Sequence, residues 1–175
     1  PKLYQAAITK TRPTVLPGVP TLYDKIIEWA VESNADLSSI HTSISGASTL
    51  PVETIERWEN ATGGRLIEGY GLTETAPILA GNPLDGTRRP GYIGLPFPNT
   101  EIRIADPQDP SRTMPDGEPG ELLARGPQVF SGYLNSPEAN ERAFHDGWFR
   151  TGDMAVMEND GWIKLVARIK EMIIT

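Results

Sequence analysis

The stretch Glu68–Pro77 reads E-G-Y-G-L-T-E-T-A-P and follows a short apolar strand pattern, Arg65–Ile67. Two glycines flank Tyr70, so the backbone there can turn sharply or let a ligand approach closely. The hydroxyl of Thr73 and the carboxylate of Glu74 come soon after the aromatic ring. These groups suit a nucleotide: a ring face for the base, a hydroxyl for phosphate and a carboxylate for Mg²⁺. The residues alone leave open a simpler interpretation, a glycine-rich turn around a half-buried tyrosine.

The composition limits the classes of protein to which the chain can belong. Its 175 residues are enough for one domain or two small ones with a real core. A net charge of −7 without a basic cluster argues against a nucleic-acid partner. The absence of cysteine excludes disulfides, thiolate metal sites and a catalytic thiol. No apolar run approaches the ~20 residues of a transmembrane segment, and no signal peptide is visible. We therefore expect an internal piece of a larger cytoplasmic protein.

Helix and strand patterns alternate through the first half of the chain. Apolar positions at helical spacing predict helices over Lys2–Lys10, from Pro20 and from Pro51, the last closed by Gly63-Gly64. Short apolar runs between them predict strands at Thr14–Leu16, Ile40–Ser45 and Arg65–Ile67. This alternation is typical of a parallel sheet with right-handed crossovers.

The pattern changes after Pro77. Gly81–Gly91 is rich in glycine and proline and is interpreted as a linker. A lone short helix is predicted over Pro137–Phe144. Strands are predicted at Thr100–Ala105, Glu121–Ala124, Met154–Met157 and Trp162–Val166. We therefore predict an α/β protein in which a parallel βαβ sheet subdomain is followed by a small antiparallel, barrel-like β subdomain.

Three segments of the second half are candidates for chemistry. Gly117–Tyr133 is interpreted as a strand between two glycine turns, and nothing in it demands catalysis. Asp153 follows a Thr-Gly turn and precedes an apolar strand. Its carboxylate can accept hydrogen bonds from both hydroxyls of a ribose, whereas the simpler interpretation is a turn aspartate that bonds its own backbone. Ala167–Thr175 alone is an amphipathic strand.

Taken together, these segments resemble the motifs of the adenylate-forming superfamily, in the family's order. That group holds acyl-CoA synthetases, the adenylation domains of peptide synthetases and firefly-type luciferases. Tyr70–Glu74 is similar to Y-G-x-T-E, and Gly120–Tyr133 to the core G-E-L-x-x-x-G-x-x-V-x-x-G-Y. Phe149–Asp153 belongs to a segment similar to W/Y-F/H-R-T-G-D, and Ala167–Thr175 is similar to the hinge G/D-R-x-K-[DE]-x-I-I.

The resemblance implies roles for the residues of the first motif and its surroundings. Tyr70 would stack on adenine, Thr73 would bind phosphate and Glu74 would hold Mg²⁺. Gly46-Ala47 resembles the loop that lies beside adenine and the acyl group in these enzymes. The full set of nucleotide contacts implied around these two loops is Gly46, Ala47, Glu68, Gly69, Tyr70, Gly71 and Thr73.

The later motifs imply ribose contacts and a pivot. Asp153 and Arg168 would bind the ribose hydroxyls. Lys170 would be the pivot about which a C-terminal domain rotates between half-reactions, and it joins Thr73 and Glu74 as the residues expected to serve catalysis. Position 167 is alanine where the family usually has glycine or aspartate.

The resemblance implies an AMP-forming fatty-acyl-CoA synthetase that uses ATP, Mg²⁺ and CoA. A fatty acid carboxylate would attack the α-phosphate of ATP to give acyl-AMP and pyrophosphate, and the CoA thiol would then displace AMP. The expected partners are these small molecules, with no nucleic acid and no membrane span. By position in the family, 1–82 is the second α/β subdomain of the large N-terminal region, 83–92 a linker, 93–167 the β subdomain and 168–175 the start of the hinge, all parts of the acetyl-CoA synthetase-like fold. The family's phosphate loop and C-terminal lysine are expected outside the chain, so we expect the chain alone to be inactive.

Two alternatives stay open. Amino-acid-activating domains of peptide synthetases usually carry Y-G-P-T-E and a hinge like G-R-x-D-x-Q-V, whereas Leu72 and Lys170-Glu171 favour the CoA ligase. A non-catalytic nucleotide-binding module is the alternative from a different class. The sequence does not fix the acyl chain length.

Overall fold

The computed structural model of the chain describes residues 2–169, which form two compact units. The first unit contains residues 2–69 and 82–91, and the second contains residues 70–81 and 92–169. Each unit has its own cluster of buried apolar side chains. Each can therefore bury the apolar faces of its own helices and strands.

The first unit is a parallel sheet whose strands are connected by helices. Strand β2 (Thr42–Ser45) pairs in parallel with β1 (Val15–Gly18) on one side and with β3 (Arg65–Tyr70) on the other. This arrangement confirms the predicted alternation of helices and strands and the parallel sheet. The elements are α1 (Lys2–Thr11), β1 (Val15–Gly18), α2 (Pro20–Ser33), β2 (Thr42–Ser45), α3 (Val52–Thr62) and β3 (Arg65–Tyr70).

Local sequence signals explain where these helices begin and end. Pro20 occupies the first turn of α2, where a missing N–H costs no hydrogen bond. Asn34 and Gly63 close α2 and α3 in the left-handed conformation, with φ of 53° and 72°. Asparagine and glycine adopt that conformation more readily than other residues. The predicted helix starts at Pro20 and Pro51 and the predicted stop at Gly63 are confirmed to within one residue.

Tyr23 of α2 and Trp58 of α3 form the centre of the first core. Both are fully buried, and their rings meet edge to face with centroids 4.7 Å apart, a favoured geometry for aromatic pairs. The Tyr23 hydroxyl donates to the carbonyls of Leu16 and Ile44 at 3.0 and 2.9 Å. The indole N–H of Trp58 donates to the hydroxyl of Ser43 at 3.0 Å. The two helices are thereby attached to β1 and β2 by hydrogen bonds as well as by apolar contact.

Residues 82–91, most of the stretch Gly81–Gly91 that was interpreted from sequence as a linker, belong to the first unit and contact its α3 and β3. The guanidinium of Arg88 contacts both carboxylate oxygens of Glu59 on α3 and donates to the carbonyl of Leu66 at 3.0 Å. The N–H of Leu66 donates to the same Glu59 carboxylate, also at 3.0 Å. One carboxylate thus joins the segment, α3 and β3.

The second unit is built on an antiparallel sheet with the strand order β10 (Ile163–Arg168), β9 (Trp148–Met157), β7 (Gly120–Arg125) and β6 (Glu101–Ala105). Strand β8 (Phe144–His145) forms a hairpin with β9, and β4 (Ala80–Gly81) pairs with β5 (Leu95–Pro96). The predicted antiparallel β subdomain is confirmed, whereas the two-residue strands β4, β5 and β8 were not predicted. After a 3₁₀ turn at Thr73–Thr75 the elements are β4 (Ala80–Gly81), β5 (Leu95–Pro96), β6 (Glu101–Ala105), β7 (Gly120–Arg125), α4 (Pro137–Ala143), β8 (Phe144–His145), β9 (Trp148–Met157) and β10 (Ile163–Arg168).

Strand β9 begins well before the predicted Met154. The sequence Thr151-Gly152 was interpreted as a turn, but it forms a bulge within the strand, where the pairing register with β7 shifts. Gly152 has φ of 73° there, a conformation that costs glycine little. The bulge leaves Asp153 inside a continuous ten-residue strand.

The described helices are all short. The longest, α2, has 14 residues, and no helix among residues 2–169 is both long and apolar enough to cross a membrane.

Candidate functional site

Tyr70 and Asp153 lie in direct contact in the second unit. The phenolic hydroxyl of Tyr70 donates to Oδ2 of Asp153 at 2.7 Å. A shared adenosine predicts that the two side chains lie within roughly 15 Å of each other, the span of a small-ligand pocket, and the contact confirms that proximity. Both residues are buried, with exposed fractions of 8% and 4%. Burial raises the pKa of the Tyr70 phenol, and the neighbouring Asp153 carboxylate raises it further.

Arg168 completes this group from the neighbouring strand. Asp153 and Arg168 are opposite each other in the β9–β10 ladder, and the Arg168 Nε donates to Oδ1 of Asp153 at 2.7 Å. The Arg168 side chain is 61% exposed. We call these three residues, Tyr70, Asp153 and Arg168, the aspartate triad. It presents a buried carboxylate, fixed on both oxygens, beside an exposed cation.

The bulge in β9 supplies the local support for Asp153. The backbone N–H of Asp153 donates to Oγ1 of Thr151 at 3.1 Å, and that hydroxyl donates to the carbonyl of Leu122 at 2.8 Å. The N–H of Gly152 donates to Oε1 of Glu121 at 3.2 Å. Side chains therefore satisfy backbone groups that the regular strand ladder leaves unpaired at this point.

Glu74 and Thr73 lie on the 3₁₀ turn that follows Tyr70. The carboxylate oxygen Oε1 of Glu74 accepts a 2.8 Å hydrogen bond from the hydroxyl of Tyr133. That bond to the carboxylate raises the pKa of the Tyr133 phenol, and partial burial adds to the effect. Thr73 is exposed, and the residue in the cap position of the turn is Leu72.

Gly71 is required by close packing. A β-carbon at this position would overlap with the carbonyl oxygen of Pro77. The N–H of Leu79 donates to the carbonyl of Tyr70 at 2.8 Å, so the chain between these residues is a closed loop. Thr73 and Glu74 lie on this loop. Its closed backbone leaves no room for a side chain at Gly71.

The remaining described candidates lie in the first unit, at the carboxyl end of its parallel strands. Ser45 and Glu68 are register partners on β2 and β3, so Gly46-Ala47, which follow the end of β2, lie beside Glu68-Gly69 near the end of β3. Ala47 has a left-handed φ of 68°. Burial raises the pKa of the Glu68 carboxyl to about 7, although a backbone hydrogen bond from Leu50 opposes the shift.

Lys170, the predicted pivot, lies outside the described residues. Tyr133 and Thr151 belong to the sequence motifs, but the motifs alone predict no role for either residue. Their signal was present only as the motif letters Gly-Tyr and Thr-Gly-Asp, and their partners, Glu74 and Leu122, are distant in sequence.

Comparison with known proteins assigns the class. Residues 1–134 match the family model of the AMP-binding enzymes. The chain therefore belongs to the AMP-binding enzyme family, and the resemblance stated from the motifs is confirmed.

Individual relatives within that family are acyl-CoA ligases. The long-chain-fatty-acid–CoA ligase of Bacillus subtilis (strain 168) is 41% identical over 167 residues, which are 95% of this chain and 30% of the ligase. That of Salmonella typhimurium (strain LT2) is 43% identical over 163 residues, 92% of this chain and 28% of the ligase. The benzoate CoA ligase of Burkholderia xenovorans LB400 matches in structure with a TM-score of 0.85 at 31% identity, covering 97% of this chain and 34% of the other. This chain thus spans less than a third of the length of these curated relatives.

Proposed function

We propose that the chain forms the adenosine-binding part of an ATP-dependent, AMP-forming acyl-CoA ligase that activates a fatty acid as acyl-AMP and transfers it to CoA. The observation that carries the proposal is the aspartate triad, since a buried carboxylate held in one orientation on β9 is suited to a pair of adjacent hydroxyls. The identity to long-chain-fatty-acid–CoA ligases supports the fatty acid as substrate.

Asp153 is proposed to bind the ribose. Each of its oxygens accepts one hydrogen bond from the protein, from Tyr70 and from Arg168. A carboxylate oxygen has two lone pairs, so each can accept one more bond from a ribose hydroxyl. The exposed Arg168 side chain would stand beside the same hydroxyls, and the Tyr70 ring would contact the adenine. The other predicted nucleotide contacts, Gly46, Ala47, Glu68, Gly69 and Gly71, stay predictions from sequence.

Glu74 is proposed to hold Mg²⁺ together with the phosphates of ATP. The hydroxyl of Thr73 is proposed to donate a hydrogen bond to a phosphate oxygen. No group of three or more metal-binding side chains occurs within residues 2–169. A single carboxylate is nevertheless sufficient, because Mg²⁺ is commonly bound through one or two carboxylates and substrate phosphates. The restrained Glu74 carboxylate and the exposed Thr73 fit that mode. When bound, Mg²⁺ supplies positive charge that stabilises the charge developing on the phosphates.

The protein's part in the chemistry is positioning and charge stabilisation. In the first step the fatty acid carboxylate forms a bond to the α-phosphorus, and the bond to pyrophosphate breaks. In the second step the CoA sulfur forms a bond to the acyl carbon, and AMP leaves. The first nucleophile is already an anion, so neither Thr73 nor Glu74 needs to transfer a proton in that step.

The test measures pyrophosphate release from ATP and Mg²⁺ with a panel of carboxylic acids. It uses the full-length ligase that is proposed to contain this chain. We expect release with long-chain fatty acids and a large loss in Asp153→Ala, which removes the ribose contact. Asp116→Ala, in a turn of the same unit, is the matched control and should retain activity. Absence of pyrophosphate release with every acid, in a folded protein that binds AMP, would contradict the ligase and favour a nucleotide-binding module.

A further inference from the structure

Tyr133 and Glu74 form a contact to which the proposed chemistry assigns no role. The two residues are 59 positions apart, and the Tyr133 hydroxyl donates to Oε1 of Glu74 at 2.8 Å. The backbone of the same segments is also joined, because the N–H of Phe130 donates to the carbonyl of Glu74 at 2.8 Å. The loop that contains Tyr133 therefore holds both the main chain and the side chain of Glu74.

Asn140 of α4 fixes the backbone of Tyr133 from both sides. Its Oδ1 accepts from the Tyr133 N–H at 2.6 Å, and its Nδ2 donates to the Tyr133 carbonyl at 3.0 Å. Gly132 makes room for this contact: its φ is 139°, and a β-carbon there would lie 2.9 Å from the Asn140 oxygen. One amide side chain thus satisfies the donor and the acceptor of the residue that restrains Glu74.

Aromatic packing anchors the other end of the same loop. The ring of Phe130 meets that of Tyr133 edge to face at 4.8 Å. Phe130 also contacts Phe144 and Phe149, at centroid distances of 5.5 and 5.4 Å. These two phenylalanines belong to β8 and β9. Through Phe130, the position of the Tyr133 ring is therefore fixed by the main sheet as well as by the loop.

The hydroxyl of Tyr133 leaves half of the Glu74 carboxylate available. Oε1 accepts its hydrogen bond, and no side chain of the described range donates to Oε2. Tyr133 is itself 39% exposed, so the pair lies where a small ligand can reach it. A carboxylate restrained at one oxygen and open at the other is the arrangement that a metal-binding carboxylate with an outer hydrogen-bond partner adopts.

We propose that Tyr133 is a positioning residue that orients the carboxylate of Glu74 toward Mg·ATP, and that Asn140 holds Tyr133 in place. The inference rests on the proposed function, because it assigns a partner to the carboxylate that the proposal gives to Mg²⁺. Tyr133 acts through Glu74 and does not itself contact the nucleotide.

The first experiment measures ATP binding to the whole protein by calorimetry, with and without Mg²⁺. Loss of an outer partner of a metal ligand typically costs roughly 10- to 100-fold in metal affinity or activity. We expect Tyr133→Phe to weaken binding by that factor when Mg²⁺ is present and to leave binding of ATP alone unchanged. Equal weakening under both conditions would mean that the hydroxyl serves only the structure of the loop, and would overturn the proposal.

The matched control is Tyr92→Phe, which removes a tyrosine hydroxyl that donates to a glutamate, Glu158, at 3.4 Å in the same unit. It should bind ATP like the wild type in both conditions. If Tyr133→Phe does not fold, Asn140→Ala gives the same test, because it keeps the phenol and releases the Tyr133 backbone. We expect a smaller loss confined to the measurement with Mg²⁺, and no loss would overturn the proposal.

The second experiment is a double-mutant cycle with Glu74→Gln, read as pyrophosphate release. If Tyr133 acts through Glu74, adding Tyr133→Phe to Glu74→Gln causes no further loss. Full, independent losses in the double variant would overturn the positioning role. The two proposals fail differently: no pyrophosphate release by the wild type would overturn the function, whereas release that Glu74→Gln reduces and Tyr133→Phe leaves normal would overturn the positioning role alone.

Discussion

The phenol of Tyr70 and the carboxylate of Asp153 form a buried 2.7 Å hydrogen bond across 83 residues of sequence. A charge-assisted bond of this kind is stronger than one between neutral groups. It fixes one oxygen of the aspartate while Arg168 fixes the other. The orientation of the carboxylate is therefore set before any ligand is present.

Tyr70→Phe should weaken AMP binding and lower the stability of the chain. The substitution leaves a buried oxygen of Asp153 without its donor, which costs about 1–3 kcal/mol. Calorimetry with AMP and chemical unfolding measure the two effects. Tyr23→Phe is the control, since it also removes a buried tyrosine hydroxyl but from the first core. If both variants lose stability but Tyr70→Phe binds AMP as tightly as the wild type, the hydrogen bond contributes only to stability and the prediction is wrong.

Glu68→Gln should stabilise the chain at alkaline pH. Burial raises the folded-state pKa of Glu68 to about 7, above the usual value of an unfolded glutamate. The folded state therefore binds more protons between about pH 4.5 and 7, and stability falls as the pH rises through that window. Neutral glutamine removes the free-energy cost of ionising this carboxyl in the folded state. We place that cost at about 1–2 kcal/mol above pH 8, because solvent at the partly exposed side chain reduces it.

The measurement for this prediction is chemical unfolding of both forms from pH 4 to pH 9. The gap between variant and wild type should grow with pH and vanish near pH 4. Glu56→Gln, on the exposed surface of α3, should show no such trend. A constant gap at all pH values would mean that Glu68 has an ordinary pKa in the folded chain.

Arg88→Ala should destabilise the first unit by about 2 kcal/mol, because it removes the main partner of a mostly buried carboxylate, Glu59. Burial alone would raise the Glu59 pKa, but hydrogen bonds from Arg88 and the Leu66 N–H lower it overall. A depressed folded-state pKa contributes stability above about pH 4.5 that is lost as the pH falls. The difference between Arg88→Ala and wild type should therefore narrow in acid.

The control for this ion pair is Arg65→Ala. Arg65 lies 4.0 Å from the same Glu59 carboxylate and is 52% exposed, so its loss should cost well under 1 kcal/mol. Unfolding by urea at pH 7 and pH 4 compares the two variants. Equal losses in the free energy of unfolding at pH 7 would mean that the hydrogen bonds of Arg88 contribute no stability beyond that of its charge.

Gly71→Ala should severely disturb the loop that carries Thr73 and Glu74, since the added methyl group overlaps with the Pro77 carbonyl. We expect a loss of stability above about 2 kcal/mol, the range for overpacking at a rigid backbone position. Gly46→Ala is the matched control, because its β-carbon would meet its nearest neighbour at an ordinary 3.6 Å. Thermal unfolding distinguishes them, and equal melting temperatures would contradict the packing argument.

The sequence predicted the helices and the longer strands because their apolar spacing reports local structure. It did not predict β4, β5 and β8, each of two residues. Such short strands exist only through their pairing partners, and no local pattern marks them. The start of β9 was missed for a related reason, because Gly152 has the same appearance in a sequence whether it lies in a turn or in a bulge.

The candidate site shows the same division between local and distant information. A shared ligand was enough to predict that Tyr70 and Asp153 lie close together. Their direct hydrogen bond, and that between Tyr133 and Glu74, depend on side chains that meet only after the sheet has formed. Spacing along the chain carries no record of such contacts, so tertiary structure was needed to find them.

The bulge at Thr151–Asp153 separates two roles of strand β9: pairing with β7, and presenting the Asp153 side chain to a ligand. The regular β7–β9 pairing resumes on either side of it, at Glu121–Met154 and at Leu123–Arg150. A change of side chain at Asp153 therefore breaks none of the hydrogen bonds by which β7 and β9 recognise each other during folding. Substitution at Asp153 can therefore alter the ligand contact without shifting the register of the sheet, and its stability cost is confined to the broken bonds to Tyr70 and Arg168.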